Sequence, residues 1–502
     1  MRVFMLGWEF PPFISGGLGT ACYGLTKAMS ALGTDILFVL PRPVSTPFST
    51  HLTLVSPPPG SPGSPGSASS PSSGPAASPT TEFRMDEFEH VTFRTVDAQM
   101  IDPYTRPEDY DTQMRTIREE RTRITAATPI DPVLTTPQPL PSGAVATAEP
   151  ATSAAPASAS APVQNRSPGL KVDGPAKSFL GNTGPGAHYA GDLFSEIQRY
   201  AMLATEIART EHAEVVHAHD WMTFPAGMAV AAQKGLPLVV HVHSTEFDRS
   251  GVHVDNRIYD IERRGMHAAM KVIAVSHLTK NIIIQQYGID PAKVEVVYNA
   301  IEANGALSDF DAERYKIHKD EKVVLFLGRI TMQKGPEYFI AAAKKVLEVM
   351  DNVKFVMAGS GDMIRRTIEM AAAMGIGHKV LFTGFLRGAD VDKVFKMADL
   401  YVMPSVSEPF GIAPLEAMSN DVPVLISKQS GVSEVLHNAL KVDFWDVTEM
   451  ANKIIAVLRH PPLASTLRQH GSFEVQRMSW SDAARGCVEV YEKATGGMTG
   501  RN

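Results

Sequence analysis

Short apolar, β-branched runs separated by helix-length stretches recur along this chain, and no other feature limits its fold so strongly. "RVFMLG", "DILFVL", "AEVVHAHD", "PLVVHVHS", "KVIAVS" and "VEVVYN" form a first series, ending at Asn299. "KVVLFLG", "VKFVMAG", "VLFTG", "LYVMP" and "VPVLIS" form a second, separated by stretches such as "PEYFIAAAKKVLEVM" with helical periodicity. Runs buried on both faces and alternating with helices are parallel strands covered by helices on each side. Two series therefore predict an α/β chain of two doubly wound parallel-sheet, Rossmann-like domains facing across a cleft. The first spans 1–299 and the second 300–460. Residues 461–502 read as helical and are expected to cross the hinge.

The first domain is interrupted. Every residue from Pro57 to Pro79 is Pro, Gly, Ser or Ala, and Pro129 to Pro175 is dominated by Pro, Ala, Ser and Thr. Such segments bury too little apolar surface to offset their ordering entropy, so disordered insertions are expected near 57–80 and 129–175. Between them, "FRMDEFEHVTFRTVDAQM" predicts a strand and "DTQMRTIREERTRITAA" a short basic helix. A length of 502 residues suits two large domains, and a net charge of −7 argues against nucleic acid as a partner. With only Cys22 and Cys487, a disulfide scaffold and a cysteine zinc site are excluded. No stretch reaches the ~20 apolar residues of a membrane span, and the N-terminus lacks a secretory pattern. A cytoplasmic protein is expected.

Chemistry-bearing residues gather where the apolar runs end. In "SVSEPFGIAPLEAM", Pro404 stops a strand, Gly411 permits a tight turn, and a helix follows. Glu408 would stand at the mouth of that corner and Glu416 on the helix behind it. The carboxyl end of a parallel strand beside a helix N-terminus is a common ligand site, although a surface loop with a solvated glutamate has the same spacing. "FLGRITMQKGPEYF" carries Arg329 and Lys334 in a strand-to-helix turn, a fork and a point charge suited to a diphosphate, or else two solvated loop cations. Gly16 and Gly17, in "GWEFPPFISGGLG", either bring backbone N–H groups to an anion or simply make a turn.

The histidines are harder to assign. In "HVHSTEFDRSG", His241 and His243 are expected on opposite faces of their strand, with Glu246 and Asp248 just beyond it. A metal site is an alternative there, but the local spacing does not match a recognised ligand set, so none is expected. His217 and His219 are expected on one face, with Asp220 at the strand end, as structural or acceptor-side residues.

"GGLG", "HAHDW", "HSTEF", "GRITMQKG" and "EPFGIAPLE", in this order, resemble the retaining GT-B glycosyltransferases of the glycogen synthase, starch synthase and sucrose synthase group, family 4-like and group 1. The likeness covers nearly all of the chain outside the two insertions, and its most specific element is the pair Glu408 and Glu416. It implies a GT-B architecture with a nucleotide-sugar donor held mainly by the second domain. It assigns Arg329 and Lys334 to the diphosphate and Glu416 to the ribose hydroxyls. Glu408, with the backbone N–H groups of Phe410, Gly411 and Ile412, would hold the donor sugar. His243 would face that sugar from the first domain, and Gly17 would close on the phosphates. The resemblance implies catalytic roles for His243 and Glu408, retention by same-face attack, and no cofactor or obligatory metal.

The acceptor would be a hydroxyl of a glycan, sugar or lipid-linked sugar. One departure stands out: Ile14 occupies the position where bacterial glycogen synthases carry a lysine, two residues before the Gly-Gly pair. Elongation of an α-glucan is therefore an alternative, and the broader family-4-like branch the main expectation. A sugar-nucleotide epimerase and a non-catalytic GT-B sensor or scaffold are further readings. The sensor predicts loss of the charged cleft residues, whereas Arg329, Lys334, Glu408 and Glu416 are all present. A lipid acceptor suggests a basic amphipathic helix, but Arg115 to Arg123 has little apolar face.

Overall fold

Each apolar run of the sequence is a strand, and the strands divide into two sheets. The computed structural model describes residues 1–11, 17–42, 81–83, 88–99, 191–302 and 321–499, all within one compact unit, Met1–Tyr110 with His188–Asn502. The first sheet holds β1 (Arg2–Leu6), β2 (Asp35–Arg42), β3 (Thr81–Phe83), β4 (Val91–Gln99), β5 (Val215–His219), β6 (Leu238–Val242), β7 (Lys271–Ala274) and β8 (Val294–Val296). Its order is β3-β4-β2-β1-β5-β6-β7-β8, parallel throughout except for β3, which runs antiparallel to β4. The second sheet holds β9 (Lys322–Leu327), β10 (Val353–Ala358), β11 (Val380–Gly384), β12 (Leu400–Met403), β13 (Val424–Ser427) and β14 (Leu440–Val442). Its order, β11-β10-β9-β12-β13-β14, is parallel throughout.

Helices fill the connections. In the first half these are α1 (Gly17–Ala31), α2 (Gly191–Thr210), α3 (Phe224–Lys234), α4 (Glu246–Ser250), α5 (Asn256–Ala268) and α6 (His277–Tyr287). The second half carries α7 (Pro336–Leu347), α8 (Ile364–Ala373), α9 (Ala389–Met397), α10 (Ala413–Ser419) and α11 (Val447–Arg459), and the chain closes with α12 (Pro461–Val475) and α13 (Trp480–Thr499).

The period of two along each strand sorts side chains into two cores per sheet. Phe4, Leu6, Val216, Ala218, Val240 and Val242 pack on the α2 and α3 side, while Val3, Met5, Val215 and Val239 pack on the α1 side. The last helix completes that second core. Trp480, Ala484, Cys487, Val490, Tyr491 and Ala494 are buried with Cys22, Leu25 and Met29 of α1. Gly24 makes room for this packing, since a Cβ there would lie 2.3 Å from the Trp480 indole. Each large side chain so buried contributes about 1.5–3 kcal/mol. α12, by contrast, packs on α10 and α11 in the second half.

Two details differ from expectation. The stretch before Met100 contributes two strands in a hairpin rather than one, and β14 was not foreseen. Both additions involve three-residue strands, too short to show a periodic signal. The Pro/Ser/Ala-rich segments, the basic stretch 111–127, and Ile14 and Gly16 lie outside the described residues. Among the described residues no helix is long and apolar enough to cross a membrane.

Candidate active site

Three turns at the carboxyl ends of β9, β10 and β12 meet almost backbone to backbone. A Cβ on Gly359 would lie 1.9 Å from the Gly328 carbonyl oxygen, and one on Gly361 would lie 2.3 Å from that of Ile330. At Gly335, where φ is +65°, a Cβ would lie 2.1 Å from the Pro404 carbonyl oxygen. The glycines let hydrogen bonds stitch the turns together. Ile330 N–H donates to Ser360 O at 2.8 Å, and Val406 N–H to Gln333 O at 2.9 Å. Gly359 and Gly361 went unassigned in the sequence, though "AGSGD" directly after a strand was the available signal.

This stitching brings Lys334 to Glu408, which lie 74 residues apart in sequence. Lys334 Nζ donates to Glu408 Oε2 at 2.5 Å, and Ser405 Oγ donates to the same oxygen at 3.1 Å. The Glu408 side chain is 7% exposed and that of Lys334 is 20% exposed, so the pair is shielded from solvent screening. Its backbone is held as well. Glu408 N–H donates to Gln429 O at 3.0 Å, and Glu408 O accepts from Gly431 N–H at 2.9 Å. Arg329 reaches Gln333 in the same turn, with Nη2 3.4 Å from Oε1. The lysine is thus engaged by the glutamate rather than standing alone as a loop cation.

After Glu408 the chain turns through Gly411, at φ +104°, into α10. The N–H groups of Phe410, Gly411 and Ile412 make no hydrogen bond among the described residues. Glu416 lies in the first turn of α10 and keeps partial exposure. Desolvation by its surroundings, helped by the charge of Asp392, pushes its carboxyl up to about 7. Nearby Tyr401 is buried, its hydroxyl donating to Leu327 O at 3.2 Å, and burial first, then the charges of Glu408 and Glu416, raises its pKa. This tyrosine was also missed. Its place in an apolar strand gave no hint of a role at the site.

On the first half, His219 pairs with His241 in the β5–β6 register. Residues two apart on a strand share a face, so the expectation that His241 and His243 point opposite ways is wrong. Their rings lie 4.2 Å apart at 21°, and those of His217 and His219 lie 4.2 Å apart at 34°. His219 Nδ1 sits 3.0 Å from His243 Nε2. Burial pushes His243 down to about 3, so its imidazole is neutral.

Asp220 positions that histidine. Its Oδ1 accepts from the His243 N–H at 2.7 Å and the Ser244 N–H at 3.4 Å, and its own backbone is left-handed, at φ +59°. Burial pushes its carboxyl up to about 7 against the opposing pull of Arg249. Glu246 and Asp248 are structural. Glu246 accepts from Arg249 at 3.2 Å, and Asp248 forms a capping box with Thr245 at the start of α4.

The two halves meet at the same loop. Ser407 Oγ donates to Asp248 Oδ1 at 2.5 Å, one residue before Glu408. Ser276 Oγ donates to Pro409 O at 2.6 Å, one residue after it. The Glu434 carboxylate accepts from the N–H groups of His277 and Leu278, at 2.9 and 2.7 Å, and from the Tyr298 hydroxyl at 3.0 Å. None of Ser276, Ser407 and Glu434 carried a signal in sequence, because each acts on a residue over a hundred positions away. Gly17 opens α1 with nothing among the described residues within 4 Å of its Cβ position.

Comparisons with known proteins agree with this architecture. Residues 308–472 match the family described as glycosyl transferases group 1, residues 184–304 match glycosyltransferase family 4, and residues 2–109 match the starch synthase catalytic domain. An uncharacterized glycosyltransferase of Methanocaldococcus jannaschii is 35% identical over 295 residues, 56% of this chain and 75% of the relative. The glycogen synthase of Mycobacterium tuberculosis is 27% identical over 300 residues, 58% of this chain and 71% of the relative. Sucrose-phosphate synthase from Thermosynechococcus elongatus superposes with a TM-score of 0.64 at 15% identity, over 99% of both chains. Anabaena HepE, solved in complex with UDP and glucose, superposes with a TM-score of 0.51 at 22% identity, over 58% of this chain and 82% of its own. These structures share the GT-B fold, and the chain belongs to the group 1 glycosyltransferases.

Proposed function

We propose that this glycosyltransferase moves a hexose, with retention, from a nucleotide-sugar donor to an acceptor hydroxyl on a carbohydrate or glycolipid. The Lys334–Glu408 pair at the carboxyl ends of β9 and β12 carries this reading. A donor diphosphate laid against Lys334 and Arg329 places fixed cations where leaving-group charge develops as the glycosidic bond breaks. Glu408 and the free N–H groups of Phe410, Gly411 and Ile412 then face the sugar. Glu416, an acceptor of two neighbouring donors once ionised, suits the ribose hydroxyls. His243 offers a neutral ring from the opposite half, and Gly17, at the N-terminus of α1, approaches the phosphates when the halves close.

In this proposal the departing phosphate takes the acceptor proton, so no protein nucleophile, metal or cofactor is needed for transfer, and nucleic acid is not a partner. The acceptor side is assigned to 1–299, the donor side to 300–460, and the setting to the cytoplasm. A second reading, elongation of an α-glucan, draws on the match of residues 2–109 to the starch synthase catalytic domain. The test is release of nucleoside diphosphate from UDP-, ADP- and GDP-sugars by the purified chain, with the anomer of the product read by NMR. Product of the donor's own anomeric configuration is expected. An inverted product, or no turnover of any donor with glycan, sugar and glycolipid acceptors, would overturn the proposal.

A further inference from the structure

We propose that His217, His219 and His241 hold one divalent transition-metal ion, Zn2+ by preference, as a structural site inside the first half. The three imidazoles are fully or almost fully buried on one face of the β5–β6 pair, and one ring nitrogen from each lies within 4.8 Å of the others. Polar atoms so buried ordinarily have partners. Here His217 Nε2, His219 Nε2 and both nitrogens of His241 have none among the described residues.

The outer hydrogen bonds select the free atoms. His217 Nδ1 lies 2.5 Å from the Tyr491 hydroxyl, and His219 Nδ1 lies 3.0 Å from His243 Nε2. With both Nδ1 atoms protonated and donating outward, each Nε2 presents its lone pair inward. A metal-bound histidine is held in this way, with its second ring nitrogen engaged by an outer partner. Zn–N bonds of about 2.0–2.1 Å bring tetrahedral nitrogens to roughly 3.3 Å apart. Because His217 and His219 stack on His241 at 9° and 29°, closing the set turns the rings out of that stack so that three in-plane lone pairs meet at one ion.

The donors also choose the ion. Three neutral imidazoles without a carboxylate suit zinc and its neighbours rather than magnesium or calcium. Cys22, His219 and His243 form a second grouping with ligand atoms equally near. The all-histidine set is preferred because the outer bonds free its nitrogens and leave His243 to the cleft. The ion itself takes no part in the proposed reaction, touching its residues only through the His219–His243 hydrogen bond, and it is loaded as the chain folds.

The experiment uses the full chain without a histidine tag, expressed in zinc-supplemented medium and gel-filtered in EDTA. About one zinc per chain is expected by mass spectrometry of the metal. Loading of fewer than about one chain in ten overturns the proposal. Chain grown with cobalt is expected to show the strong visible bands of a tetrahedral nitrogen-rich site, and a featureless spectrum counts against it. His217→Gln with His241→Gln is expected to abolish loading, and retention of stoichiometric zinc by that double variant overturns the ligand assignment. Should it fail to fold, Tyr491→Phe removes the outer hydrogen bond to His217, along with a 4.0 Å contact to Met29 Sδ, and is expected to weaken zinc retention about 10-fold against a competing chelator. Unchanged retention there also counts against the site.

Discussion

Replacing Gly335 by alanine tests whether the close approach of two turns, rather than the charges alone, assembles the site. At φ +65° an alanine pays about 1–2 kcal/mol for a left-handed backbone. Its Cβ would also lie 2.1 Å from the Pro404 carbonyl oxygen, where ordinary contact begins at 3.4 Å. Backbone meets backbone there, so no side chain can swing aside, and the turns must part by about 1 Å. The hydrogen bond from Val406 N–H to Gln333 O goes with them, at a further cost of about 1 kcal/mol. Parting by that distance draws Lys334 from Glu408, and a 1 Å misplacement of this kind lowers turnover about a hundredfold. Gly33→Ala is the matched control. Gly33 has φ +78° but nothing within 4 Å of its Cβ position, so it carries the backbone strain without the collision. Thermal unfolding and steady-state donor turnover, measured on both variants, separate the two effects. Both should lose a few degrees of Tm, and only Gly335→Ala should lose turnover. Wild-type turnover in Gly335→Ala, or equal losses in the two variants, would refute the reasoning.

Three further outcomes are expected. Lys334→Ala and Arg329→Ala should each cut turnover on the scale of about 3 kcal/mol and weaken donor binding, with EDTA leaving wild-type turnover unchanged; donor affinity near wild type in both variants would sink the diphosphate role. Glu416→Ala should raise the donor KM more than it lowers kcat, because the ribose is unchanged during transfer, whereas Glu408→Ala should lower kcat itself; identical modest binding losses in both would make the pair a nucleotide clip. The Glu416 carboxyl rises from 4.5 to about 7 on folding, so the native state holds a proton the unfolded chain has lost, and stability falls as pH climbs through that window. Discounted for partial exposure, this amounts to about 1–2 kcal/mol. Glu416→Gln should therefore gain stability over wild type at pH 8 but not at pH 4.5, and identical pH profiles would exclude the shift.

The strands were legible because burial on both faces leaves an unbroken apolar signature, as in Val3–Leu6 or Val424–Ile426. β14, three residues at a sheet edge, leaves none. The turn holding Arg329 and Lys334 and the corner holding Glu408 could each be found alone, since both end a strand and begin a helix. Their union could not, because a pairing 74 residues apart rests on Gly335 passing Pro404. Chemistry-bearing residues were also over-read. Glu246 and Asp248 stood beyond a strand end as possible ligands, but Thr245 three residues before Asp248 marks a helix cap, and the structure uses Glu246 for Arg249 and Asp248 for that cap and for Ser407. His241 and His243 were misjudged through strand parity, while His217 and His219 were placed correctly on one face: residues two apart point the same way, and the β5–β6 register then stacks all four.

The return of α13 to the first sheet has a consequence for synthesis on the ribosome. The first half of the chain emerges first, yet Trp480, Tyr491 and their neighbours, which cover the α1 face, emerge last. At ~5–20 residues per second, roughly two hundred residues separate β8 from the end of that helix, an interval of about 10–40 s. Throughout it the slot at Gly24 and the apolar row of Val3, Met5, Val215 and Val239 face solvent or a chaperone. The half made first is therefore sealed last, and a nascent chain stalled after α12 would carry a finished second sheet beside an open first one.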